Sequence, residues 1–114
     1  MRRQRPVIEL GEPSDQLYVE LWVSFASLLR SYTAAHGLNG RRQATVELGK
    51  EQILVRHGDD WLDLHRDGAT VTWIREDGRT GTLEFTDHGR LHEAGANEEE
   101  MDMAAERFAR ELMK

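Results

Sequence analysis

The sequence predicts an α+β fold: a long N-terminal helix, a five- to six-stranded antiparallel β-meander and a C-terminal helix, with both helices packed on one face of the sheet. Three observations predict it. From Arg41 to Gly95, six short blocks alternate apolar and polar residues and each closes on a glycine-bearing turn; alternation with period two divides side chains between the two faces of a strand. An apolar stripe at helical spacing lies on either side of this region. The turns, read one by one, bring the same apolar residues to one face, and such agreement between local and global signals is expected of a real sheet.

The first helix is read from Pro13 or Ser14 to His36. Leu17, Leu21, Phe25, Leu28, Leu29 and Tyr32 fall on one stripe, which Tyr18 and Trp22 widen. Pro13 suits a first turn and Gly37 the position just past the last one. Upstream, Pro6 to Leu10 would add a short strand through β-branched Val7 and Ile8.

In the meander, a two-residue Gly49-Lys50 loop sets Val46 opposite Ile53 and Ala44 opposite Val55. Asp67-Gly68, a favoured type I′ pair, sets Leu64 opposite Val71 and Leu62 opposite Trp73. Three-residue loops ending in glycine, Glu76-Asp77-Gly78 and Asp87-His88-Gly89, set Val71 opposite Leu83, Trp73 over Gly81, and Phe85 opposite Leu91. The inner face is then Ala44, Val46, Leu48, Ile53, Val55, Leu62, Leu64, Val71, Trp73, Leu83, Phe85 and Leu91. The connection at Gly58-Asp59-Asp60 admits more than one loop length.

The second helix is read from its own signals. Asn97 followed by Glu100 has the spacing of a capping-box variant, and Glu98, Glu99 and Glu100 meet the positive end of a helix dipole. Met101, Ala105, Phe108 and Leu112 recur at helical spacing up to Met113.

Composition sets outer bounds on function. The 114 residues are read as one domain, 1–114, with residues 1–6 as a basic arm carrying Arg2, Arg3 and Arg5. Charged residues make up 32% and apolar ones 39%, too apolar for disorder and too polar for a membrane span. The formal charge of −6 disfavours nucleic acid, whose phosphates are held by clustered Lys and Arg. There is no cysteine, hence no thiolate chemistry and no Cys-ligated zinc. MRRQRPVIELGEP lacks the apolar run of a signal peptide, so a cytoplasmic location is expected.

By parity the outer face carries mostly threonines and charges, with three large apolar exceptions, Leu54, Trp61 and Ile74. Trp61 is expected directly opposite Ile74, in a compact patch that His65, Arg56 and Thr72 flank. Such a patch reads as a contact surface for another protein or for a second copy of the chain.

Other constellations weigh less. His57, Asp59, Asp60, Asp63 and His65 have metal-ligand chemistry, but His57 has inner parity whereas Asp63 and His65 have outer parity; no metal or other cofactor is expected. Glu84 opposite His92, with His65 nearby, is the best acid–base candidate, yet nothing supplies a nucleophile, an oxyanion hole or a cleft. The chain is therefore expected not to be an enzyme. A pocket beneath Tyr18 and Trp22, between helix and sheet, is the place a small molecule would occupy. Of Met101, Met103 and Met113, the first belongs to the core stripe and the others are expected to fill gaps.

Two families resemble parts of this chain. The stretch FTDHGRLHEAGANEEEMDMAAERFARELM, from Phe85 to Met113, is similar to the end of one half-repeat of the TATA-binding protein family, through Gly89, Arg90, Gly95, Ala96, Phe108, Ala109 and Arg110. The likeness covers about a quarter of the chain and implies a hairpin feeding a helix. Nucleic-acid association would follow from it, but the outer face lacks that family's basic rim and paired intercalating phenylalanines. The order helix, meander, helix resembles frataxin; that family's iron-binding acidic ridge has no counterpart here, since Glu20 is the sole acid from Leu17 to His36.

Overall fold

In the computed structural model the described residues are 15–37, 43–93 and 96–113. The strand expected at Pro6 to Leu10 and the basic arm lie outside them. Helix α1 (Asp15–His36) leads into strands β1 (Thr45–Leu48), β2 (Gln52–His57), β3 (Asp60–Asp67), β4 (Thr70–Arg75), β5 (Thr80–Phe85), β6 (Arg90–Glu93) and β7 (Glu99–Glu100), and helix α2 (Met101–Leu112) closes the chain. The seven strands form one antiparallel sheet in sequence order. Both helices cover the same face, as the sequence predicts, but there is one strand more than expected.

The extra strand comes from residues read as a helix cap. Glu99 and Glu100 pair with Leu91 and Arg90, so α2 starts only at Met101, and the residue preceding it, Glu100, makes no side-chain capping bond. The capping box from Asn97 is thus not formed. Ion pairs hold these acids instead: Arg90 lies 2.8 Å from Glu100, and Arg107 donates to Glu99 at 2.7 Å.

Two hairpins are shifted by two residues from the register read from their turns. Leu48 faces Ile53 and Val46 faces Val55, with Lys50-Glu51 forming the loop between the Gly49 and Gln52 pair. Leu64 faces Trp73 and Leu62 faces Arg75, with Gly68-Ala69 as the loop. Backbone sterics explain the second shift. A type I′ turn at Asp67-Gly68 requires positive φ at Asp67, whereas the chain puts Gly68 first, with φ 61°, and no non-glycine residue in the described chain has positive φ. The Glu76-Asp77-Gly78 and Asp87-His88-Gly89 hairpins have the expected register: Val71 faces Leu83, Trp73 faces Gly81, and Phe85 faces Leu91.

Because a two-residue slip preserves parity, the core survives it. Ile53, Val55, Leu62, Leu64, Val71, Leu83, Phe85 and Leu91 are buried, and Trp22, Phe25, Ala26 and Leu29 of α1 and Ala104, Ala105, Phe108 and Leu112 of α2 pack on them. Phe25 meets Phe85 and Phe108 edge-on, with ring centroids 6.2 and 6.5 Å apart. Leu48 departs from the expectation, at 39% exposed, since an edge strand has a neighbour on one side only. Met103 also departs from it, being exposed rather than gap-filling. Met113 does fill a gap: a side chain at Gly37 would come within 3.1 Å of its Cε, so the glycine lets the ends of α1 and α2 meet.

Two arginines also lie buried on the inner face. Arg66, opposite Val71, donates to the Asp15 carboxylate and to the Gly68 carbonyl, both at 3.0 Å, and so ties the start of α1 to the β3–β4 turn. Arg75, opposite Leu62, donates to the Glu111 side chain and to the Glu111 carbonyl in the last turn of α2, both at 3.3 Å. A cation there complements the negative end of the helix dipole.

Candidate functional site

One face of the sheet lies under the helices, and the other is ordered by the strand register into rows. One row crosses β1 to β5 as Glu47, Leu54, Asp63, Ile74 and Thr80. The next row toward one end runs Thr45, Arg56 and Trp61 and continues to Glu76, whose N–H donates to the Trp61 carbonyl at 3.1 Å. Toward the other end come Gln52, His65, Thr72 and Thr82, then Asp67, Thr70, Glu84 and His92.

The three apolar residues do share this face, but not in the predicted arrangement. Ile74 faces Asp63, and Trp61 stands diagonal to Ile74 rather than opposite it, because the β3–β4 turn is displaced by two residues. Adjacent strands lie about 4.8 Å apart, so Leu54 and Ile74 are separated by roughly 10 Å with the Asp63 strand between them. Ile74 is 43% exposed, and Leu54 and Trp61 are half-buried. Beside them a shallow depression of about 340 Å³ is lined by Leu54, Arg56, Gly58, Asp60, Trp61 and Asp63.

The polar groups around this depression are unequally engaged. Asp60 accepts the Trp61 N–H at 2.8 Å and lies 3.5 Å from the Arg75 guanidinium, so it is held by two partners. Asp63 accepts from Gln52 at 2.9 Å and lies 3.3 Å from His65 Nε2. Arg56, directly opposite Trp61, has no hydrogen-bond or ion-pair partner among the described residues, where every other arginine has one. Thr72 is exposed between His65 and Thr82.

The remaining constellations are drawn apart. Among the described residues no three His, Cys, Asp or Glu side chains converge as a metal site. His57 pairs in register with Asp60, while His65 leans on Asp63. Glu84 does face His92, but the nearest approach of carboxylate to imidazole is 3.9 Å, and Thr70 donates to Glu84 at 3.4 Å. His65 sits on β3, separated from Glu84 by the whole of β4, so the three do not form one site. Beneath α1, Trp22 is 1% exposed and donates through Nε1 to the Gly49 carbonyl at 3.2 Å.

The sequence reading missed Glu76 as a neighbour of Trp61. It is a loop residue by its turn signal, and only the backbone bond to Trp61 reveals its place. The partner of Asp60, Arg75, was missed too, although its parity with Val71 and Trp73 puts it on the inner face, because the inner set was drawn from apolar residues alone.

No helix among the described residues is long and apolar enough to cross a membrane. Comparison with protein-family models, curated proteins and solved structures found no match to this chain.

Proposed function

We propose that this is a protein-interaction domain whose open sheet face, centred on Leu54, Trp61 and Ile74, contacts another polypeptide. The observation that carries the reading is the presence of three large apolar side chains beside a depression on the face that no helix among the described residues covers. Apolar surface grouped in this way gains free energy when a partner removes it from water, about 25 cal/mol per Å². The rigid seven-stranded platform keeps the ordering cost of binding low. In this reading Trp61 is the anchor, since large aromatic residues dominate contact energies, and Arg56, His65 and Thr72 fix orientation at the rim. The depression is too open to enclose a small molecule, most of whose surface a ligand pocket must cover.

The test is capture from an extract of the source cells by the immobilised wild-type domain, by Trp61→Ala and Ile74→Asp, and by Met103→Asp on exposed α2. Captured protein should be lost with the two sheet-face variants and retained with Met103→Asp. Equal capture by all four, with folding verified by circular dichroism, would remove the proposal.

A further inference from the structure

Resting on the reading above, we infer that the partner of the open face is a basic polypeptide segment bearing an apolar side chain, and not a second copy of this chain. Charge around the apolar residues decides between them. In the row that holds Leu54 and Ile74, Glu47 precedes Leu54 and Asp63 lies between the two, so acid and apolar side chains alternate across β1 to β4. Glu76 flanks Trp61 on the side away from Arg56. Neither Glu47 nor Glu76 has a side-chain hydrogen bond or ion pair with another described residue, and both are exposed. Asp60 is matched by Arg75 and Asp63 is engaged by Gln52 and His65, which leaves Glu47 and Glu76 as the unengaged carboxylates of the patch against the single guanidinium of Arg56.

A twofold contact between identical faces would set this acid-rich patch against itself. Like charges opposed across an interface cost specificity and affinity, and the whole chain carries −6. A segment with Lys or Arg beside a Leu, Met or aromatic side chain meets the same surface with every term favourable. Its apolar group covers Leu54 and Ile74, and its cations face Glu47, Asp63 and Glu76. A cation placed over the Trp61 indole adds an attraction to the ring face. Arg56 then acts as a selector, since it repels a cation at one end of the row and so sets the direction in which such a segment lies.

Three synthetic peptides of equal length test this by calorimetric titration of the full chain: one alternating Arg with Leu, one alternating Glu with Leu, and one alternating Arg with Ser. The Arg/Leu peptide should bind at least tenfold tighter than either of the others, and its affinity should fall with added salt. Binding should weaken about tenfold in Trp61→Ala and again in the Glu47→Gln/Glu76→Gln double variant, whose charge changes leave the core untouched. Equal or tighter binding of the Glu/Leu peptide overturns the inference, as does equal binding of the Arg/Ser peptide. Binding by none of the three overturns it while leaving the interaction reading to the capture experiment. A Trp61-dependent dimer in light scattering of the wild type across a dilution series overturns it too, and identifies a second copy as the occupant.

Discussion

Trp73 lies over Gly81 so closely that a single added methyl group should unsettle the core. A Cβ at Gly81 would stand 2.7 Å from Trp73 Nε1 and 2.8 Å from Cε2 and Cζ2, well inside ordinary contact. The indole cannot simply swing away, because its ring meets Phe108 at 5.5 Å and 73°, and Phe108 is in turn held by Phe25. Gly81→Ala should therefore cost about 1–3 kcal/mol, the usual range for overpacking, and lower Tm by roughly 4–12 °C in a chain of this size. In a Trp73→Leu background the collision is absent. Since Gly81 has no positive φ, the backbone accepts alanine, and the same substitution should then stabilise by about 0.5–1 kcal/mol, the entropy glycine concedes within a strand. Urea denaturation of the four proteins closes the double-mutant cycle. A cost for Gly81→Ala that is the same in both backgrounds would refute the close approach on which the β4–β5 packing depends.

Other consequences are equally open to measurement. Arg75→Ala should destabilise by about 2–4 kcal/mol in urea, from lost packing and a lost tie to the end of α2, whereas Arg75→Met, which keeps the volume, should cost less than about 1.5 kcal/mol; its partners Glu111 and Asp60 remain hydrated at 33% and 37% side-chain exposure. Gly68→Ala should cost about 1–2 kcal/mol with no change in m-value, because φ is 61° and the surroundings are empty, so backbone strain is the only penalty. Asp77 is held below its ordinary value of 3.8, chiefly by the Arg79 backbone N–H and then by the Arg79 guanidinium. A carboxyl depressed in the folded state contributes stability above its unfolded value and loses it as pH falls through the folded one. The difference in urea midpoint between wild type and Asp77→Asn should accordingly shrink from pH 5 to pH 2, and a constant difference would contradict this.

Much of the architecture was legible because parity is robust. The helix from Leu17 to His36, the inner face from Ile53 to Leu91 and the hairpins at Gly78 and Gly89 all follow from spacing alone. Exact register was not legible at Gly49 and Gly68, since a slip of two residues leaves every side chain on its own face and only turn sterics choose between the alternatives. The effect of that ambiguity was concentrated at the site: it put Trp61 opposite Ile74, where Glu76 stands. Glu99 and Glu100 look the same in a helix cap and in a two-residue strand, and only their pairing with β6 tells them apart.

The most direct test of the account is an amide hydrogen-exchange footprint of the domain alone and in complex with whatever protein it retains from extract. Binding at the open face should slow exchange in β2, β3 and β4, with the largest change around Leu54, Trp61 and Ile74 and none along α1. Protection confined to α1 or to exposed Met103 of α2, with the strands unchanged, would contradict the assignment of the sheet face as the contact surface.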